Sequence, residues 1–429
     1  MYDLLQKLFP ICRSLTGQGV RETLGIIADH LPLRQTELPT GTKVFDWTIP
    51  REWNIRDAFI ATADGRRIVD FRQNNLHVVG YSVPVDAWFS LEALQDHLYS
   101  LEEQPEAIPY VTSYYAERWG FCLAHRERLK LQPGQYRVVI DSDLSDGYLT
   151  YGECLLPGES RQEILLSTDI CHPSMANNEL SGPVILTWIG RWLMSEPRRY
   201  SYRLLFIPET IGSLAYLSQH LDTLKERVIA GFNLSCLGDE RLYSCVSTPY
   251  ANTLADRIVN QVLPHLEGRH QVYSFLERGS DERQYCSPGV DLPVVSVCRS
   301  KYGTYPEYHT SLDNLDLVTP KGLAGGFRYV QRCIEVAEMN RVYRATCLGE
   351  PQLGQYGLYP TLNIKRGVFS MAALRNLLAY ANGTNDLLAI AGIIKKPVWE
   401  LSELARKLEG LGLLRVVEPD SMTRAMVLS

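Results

Sequence analysis

Between Glu163 and Cys298 the chain alternates short runs of unbroken apolar residues with amphipathic stretches, and few folds accept such a pattern. The apolar runs are EILLSTDIC, YRLLFIPE, VIAGFNLSCLG, QVYSFLE and LPVVSVC; PVILTWIGRWLMS and ANTLADRIVNQVLPHL lie among them with helical spacing. A strand that is apolar on both faces must be covered on both faces, and its cover is the helices that lead to the next parallel strand. The expected fold class is therefore α/β: a three-layer domain around a mixed, mainly parallel sheet, with 321–344 as its closing helix.

The flanks have a different texture. The first segment, from Asp3 to about Leu31, has helical periodicity broken at Pro10. From about Leu38 the chain turns to short β-like pieces rich in aromatics and turn residues, ending in the pair QYRVVIDSDLSDG and YLTYGECLLPG, which Asp146-Gly147 is expected to join as a hairpin. Beyond Gly354 come MAALRNLLAYANG, stopped at Gly383, then TNDLLAIAGII with Thr384 as expected N-cap, then PVWELSELARKLEGLGLL with Pro397 at a helix start. Three short helices followed by the apolar strand LLRVV suggest a winged helix. The expected domains are 1–37 with 155–345, an inserted β-rich module at 38–154, and a winged helix at 355–429.

At 429 residues the chain has room for two or three domains, and 45% hydrophobic with 21% charged residues argues that the whole length folds. A net charge of −6 offers no general attraction to nucleic acid or anionic membrane. The amino terminus is broken by Asp3, Lys7, Pro10 and Arg13, so no secretory signal is expected. The best apolar run, Gly182 to Gly190, is far shorter than the roughly 20 residues that span a bilayer. Ten cysteines without a CxxC pair suggest buried thiols in a reducing compartment, and the expected location is the cytoplasm.

Ligands of open α/β sheets bind where strand ends meet at the carboxyl edge, so those ends carry the chemistry. The first strand delivers Asp169, Cys171 and His172, followed by Asn178, Glu179 and a Ser-Gly helix entry. That suits a metal held above the sheet, although a histidine there can also merely cap a turn. The second ends in Glu209, a carboxylate raised in pKa by an apolar surround and suited to general-base work, or else to satisfying a helix N-terminus. Asp239-Glu240, Asp281-Glu282 and His309 with Asp313 follow the later strands.

The same phrases together resemble the di-zinc aminopeptidase clan that includes bacterial leucine aminopeptidases and glutaminyl cyclases. They are His172, NNELSG (177–182), PETIGS (208–213), NLSCLGD (233–239), GSDE (279–282) and YHTSLDNLD (308–316), in the clan's order. The chain departs from the clan at Asn178 in place of a bridging Asp, Thr210 in place of a second Glu, Ser235 in place of an Asp, and Glu282 in place of a His. Ligands are expected to have moved to Glu179, Asp239, Asp281 or Glu282. A single zinc needs three protein ligands and an open position for water. Taken with the family resemblance, which implies a zinc site, the expected set is His172, Glu179 and His309, one zinc per chain, with Glu209 and Asp281 as catalytic residues. More narrowly, the chain resembles bacterial proteins with an aminopeptidase-like domain, an inserted β module and a C-terminal winged helix, often labelled polysaccharide-biosynthesis proteins. The resemblance implies a metal-dependent amide hydrolase acting on a peptide amino terminus or on an N-acyl amino-sugar conjugate. The competing reading is a degraded site that binds a metabolite or organises an assembly.

Trp47, Trp53, Tyr110, Tyr114, Tyr115 and Trp119 offer either sugar-stacking faces or ordinary packing. Residues 361–429 hold nine Lys/Arg against six Asp/Glu, and the candidate recognition helix carries Glu400, Glu403 and Glu409 against Arg406 and Lys407, so DNA binding is not expected. Val398, Leu401, Leu404, Leu408 and Leu411 form one buried stripe, leaving Trp399 as an expected exposed anchor for a partner such as a second copy of the chain.

Overall fold

A computed structural model describes residues 1–358 and 370–417. The chain forms two compact units, one from 1–256 with 267–330 and the other from 257–266 with the residues from 331 onward.

The first unit is built on an eight-stranded sheet. Its strands in chain order are β1 (Arg34–Pro39), β2 (Tyr148–Leu156), β3 (Glu163–Asp169), β4 (Ser201–Ile207), β5 (Val228–Leu234), β6 (Tyr243–Val246), β7 (His270–Tyr273) and β8 (Val294–Cys298). Their spatial order is β1-β2-β4-β3-β5-β8-β6-β7. β3 runs parallel to β4 and β5, and β5 parallel to β8. β1, β2 and the β6-β7 pair bring antiparallel contacts at the edges. Every residue of β3, β4 and β8 is buried, as their largely apolar runs favour, with Glu163 of β3 and Arg203 of β4 buried as a pair. The helices Ser181–Ser195 and Ile211–Arg227 start just after β3 and β4, which puts their N-termini at the carboxyl edge. Gly182 is there because a Cβ would stand 2.2 Å from Thr168 Oγ1 and 2.5 Å from the Leu234 carbonyl.

Three local expectations are corrected. Gln135–Ser145 and β2 are not a hairpin: the former pairs with Glu52–Thr62 and Val85–Ser90 in a separate four-stranded sheet, while β2 joins the large one. Asp146-Gly147 is thus the point where the chain passes from one sheet to the other; a Cβ on Gly147 would meet Glu52, 2.5 Å away. The strand β6 adds to the expected set, its LYSCV being too short and too interrupted by serine to stand out. Segment 109–121, part of the expected β-rich module, is mostly loop rather than strand.

The second unit contains a three-stranded antiparallel sheet with Val342–Ala345 between Asn382–Asp386 and Leu414–Val417. Strand Val342–Ala345, expected in the α/β domain, therefore belongs with the winged helix. Its helices are Met371–Tyr380, Leu387–Ile394 and Val398–Gly410. The middle one is capped by Asp386, which accepts from Ala389 N–H, and not by Thr384. Trp399 is not a free anchor: it is half-buried, with His265 at 4.9 Å edge-on and the Arg332 guanidinium 4.9 Å above its ring. The parts of the expected winged helix at 359–369 and 418–429 lie outside the described residues.

Candidate active site

The loop after β3 places His172 over the carboxyl edge, and its carbonyl accepts a hydrogen bond from the buried Arg13 guanidinium at 3.1 Å. The segment Ala176–Leu180 winds as one π-helical turn before the α-helix begins. That wider turn is anchored by Asp313, whose two oxygens accept from Asn177 and Asn178 N–H at 2.6 and 2.9 Å. It swings Glu179 back under His172: Oε2 lies 2.5 Å from Nδ1, and Oε1 accepts from the backbone N–H groups of His172, at 2.7 Å, and Cys171. Burial opposes charging of His172, but the Glu179 carboxylate prevails and raises its pKa. Burial likewise pushes Glu179 up, and the imidazole outweighs it and lowers it.

Glu179, expected as a metal ligand, is therefore committed with both oxygens to orienting His172. An ionised carboxylate can only accept, so Nδ1 carries the proton and Nε2 is left for coordination. Nε2 faces Glu209, whose Oε2 is 3.7 Å away.

His309 arrives from the loop after β8 with φ of 57°, in the left-handed region. Its ring centroid is 5.3 Å from that of His172, and its buried Nε2 has no hydrogen-bond partner among the described residues. Burial, then the neighbouring His172, lowers its pKa to about 3, so the ring is neutral. Zinc held tetrahedrally by two imidazole nitrogens at about 2.0–2.1 Å separates the ring centroids by about 5 Å. The 5.3 Å between the centroids matches that spacing, while the donor atoms gathered within 4.8 Å of one another are those of Cys171, His172 and Glu179 and not of His309. Those atoms gather around Nδ1, which Glu179 occupies, and burial keeps the Cys171 thiol protonated while its sulfur accepts from Glu209 N–H at 3.3 Å.

Glu209 sits at the end of β4, followed by Thr210 at φ of 65°. Burial raises its pKa to about 7. Asp281 holds this turn, its Oδ1 accepting from Thr210 N–H at 2.7 Å and Ser213 Oγ at 3.0 Å. Burial pushes Asp281 up to about 6 and also holds Asp169 well above the usual carboxylate range. Asn178 Oδ1 is buried without a partner among the described residues, whereas the Asp169 and Asp281 carboxyls hydrogen-bond to each other, which requires Asp169 to hold a proton. Asp239 and Glu282 are not free to serve as replacement ligands. Asp239 accepts from Ser300 N–H and Oγ, Asn177 and Arg241, and Glu282 from Gly279, Ser280, Ser296 and Tyr302.

Two further contributors lie outside the expected site: Tyr110, considered only among the stacking aromatics, and Arg283. Tyr110 packs edge-on against both imidazoles, at 4.9 Å from His172 and 5.2 Å from His309, and its N–H donates to the His309 carbonyl at 2.9 Å. Its hydroxyl lies 2.9 Å from that of Tyr114. Arg283 donates to Thr210 Oγ1 at 2.5 Å and lies 3.9 Å from Glu209. Of the other aromatics considered for sugar stacking, Trp53 stacks on Tyr81 and Trp119 on His97, whereas Trp47 and Tyr115 are exposed.

Residues 2–340 match a family described as a domain of unknown function, DUF4910, and residues 341–416 match a winged helix-turn-helix family. The chain belongs to the DUF4910 family. A relative from Clostridium acetobutylicum, named for polysaccharide biosynthesis and an aminopeptidase-like domain, is 45% identical over 395 residues, covering 91% of this chain and 90% of its own. A crystal structure from the same organism, of a protein named as a peptidase, superimposes with a TM-score of 0.91 at 43% identity, over 97% of this chain and 96% of that one. A zinc aminopeptidase from Bacillus subtilis matches with a TM-score of 0.57 at 12% identity, over 78% and 94%. At that identity the likeness concerns the fold, which is aminopeptidase-like, with a winged helix at the C-terminal end.

Proposed function

We propose that the chain is a single-zinc hydrolase of amide bonds, with His172 and His309 as two of the three protein ligands of the ion. The observation that carries this is the pair of imidazoles at 5.3 Å, one oriented by Glu179 and the other presenting a buried, unpartnered nitrogen. A zinc bound there supplies a Lewis acid and a water of lowered pKa. Glu209, with a pKa of about 7, is poised to take the proton from the attacking water and return it to the leaving nitrogen. Asp281 is a positioning residue that fixes the Glu209-Thr210 turn, and Tyr110 walls the site against solvent. Asn178 and Thr210 argue against a second ion, since neither supplies the charge of the carboxylate it replaces.

The substrate in this reading is a peptide amino terminus or, in keeping with the name of the Clostridium relative, an N-acyl amino sugar or its conjugate. The scene of action is the cytoplasm; no helix among the described residues is long and apolar enough to cross a membrane. The winged helix serves assembly rather than operator binding, because Glu400, Glu403 and Glu409 are all exposed on the helix that would enter the groove. Elemental analysis of the purified protein is expected to find about one zinc per chain, lost in His172→Ala and His309→Ala. Glu209→Gln should keep the zinc and lose roughly 10²–10⁴ in turnover. Unchanged metal in both histidine variants would end the metal reading, and full turnover in Glu209→Gln would end the base assignment.

A further inference from the structure

Two arginines of the first unit differ in how fully their donors are used. Arg203 on β4 spends its guanidinium on Glu163, at 2.6 and 2.9 Å, on Tyr216 at 2.8 Å and on Glu153. Arg283, in the short helical turn Glu282–Tyr285, makes one hydrogen bond to Thr210 and comes no closer than 3.9 Å to Glu209. Its Nε is buried without a partner among the described residues. A guanidinium has five N–H donors in a rigid fork. Were Arg283 present only to neutralise the neighbouring acids, a paired contact with Glu209 would satisfy it, as Glu163 satisfies Arg203. Instead Thr210, held at φ of 65° by its N–H bond to Asp281, tethers one edge of the fork and leaves the rest open beside the proposed base. Its side chain is 39% exposed, so the fork is reachable from solvent.

We propose that Arg283 is a subsite for an oxyanion carried by the substrate close to the bond that is cut. The planar fork takes two oxygens of a carboxylate or a phosphate ester in parallel, which gives both charge and direction. This deepens the hydrolase reading and rests on it: the preferred substrates are acidic, such as an N-acylated amino acid with a free carboxylate or a sugar bearing an acidic group. It also gives Thr210 a purpose, since a second glutamate in its place would pair with Arg283 and close the fork.

The test measures binding to the full-length zinc-loaded protein by calorimetry, with N-acetylglycine, its neutral counterpart N-acetylglycinamide, and inorganic phosphate as probes. N-acetylglycine is expected to bind about tenfold more tightly than the amide, a preference lost in Arg283→Gln and partly kept in Arg283→Lys. Competition by phosphate would assign the subsite to phosphate esters as well, and its absence to carboxylates. Thr210→Val, which frees the fork without removing it, should weaken the preference in a protein whose melting temperature and zinc content match wild type. Equal binding of the two organic probes, no measurable binding of N-acetylglycine up to about 10 mM, or a preference that survives in Arg283→Gln would overturn the proposal. Loss of the hydrolase reading shows separately, as unchanged zinc content in the histidine variants.

Discussion

The two ends of the parallel strands use charge in opposite ways. At the amino end, Arg203 and Glu163 are buried together, and each finds its partners within the fold. At the carboxyl end, Asn178 and His309 hold buried polar atoms with nothing to bond to among the described residues, and Asp169 and Asp281 are crowded carboxyl to carboxyl with raised pKa values because burial disfavours their charge. A fold tolerates such a cluster when something outside the chain completes it, and a satisfied network needs no visitor. The contrast separates residues that make the sheet stand from residues that make it act.

The sharpest way to break this contrast is at the amino end. Arg203→Met leaves the buried Glu163 with only Arg227, at 3.5 Å, and is expected to cost about 3 kcal/mol in denaturant unfolding, the lower end for a broken buried pair. Its metal content and turnover should stay near wild type under conditions where it is folded. A variant that keeps its stability but loses metal would show that the two ends are not independent.

The next largest effect is expected at Glu179, on the boundary between the two roles. As the carboxylate behind His172 it orients the ring, and Glu179→Gln should weaken zinc binding roughly 10–100-fold while leaving the ion bound at saturating concentration. Abolished binding would make Glu179 a ligand after all. Titration with a competing chelator distinguishes the outcomes, and circular dichroism confirms that the variant is folded.

The difference between these ends is partly legible in the sequence. Unbroken apolar strands such as RLLFI and VVSVC leave a covered parallel sheet as the economical fold, and strand-end reasoning picks out His172, Glu209 and His309. Spacing does not reveal which way a side chain turns. The π-helical winding at Ala176–Leu180 decides that Glu179 points under His172 rather than into the site. Nor does periodicity speak for loops: Tyr110 reaches the imidazoles only because Pro109 and Thr310 pair as an isolated bridge. Arg283 stands two residues from Asp281, yet only its tether to Thr210 distinguishes it from an ordinary surface arginine.

The smallest effect concerns Glu52, a carboxylate of the satisfied kind in the inserted module, and it tests whether pairing there contributes stability. Burial alone would raise its pKa, but hydrogen bonds from Arg21, from Asn54 and from the Tyr148 N–H overcome this and lower it from 4.5 to about 2. A carboxylate depressed in the folded state binds protons more weakly there than in the unfolded chain. Its contribution is therefore complete above the unfolded value of 4.5 and is lost as pH falls toward about 2. Arg21 is partly solvated, so screening reduces the effect to about 1–2 kcal/mol. Glu52→Gln should be less stable than wild type by that amount at pH 6, with the gap closing between about pH 4.5 and 2. Urea unfolding of both proteins across that range checks it. A gap that stays constant with pH would mean that Glu52 acts through packing against Gly147 and its hydrogen bonds from Asn54 and the Tyr148 N–H, and that its charge contributes nothing.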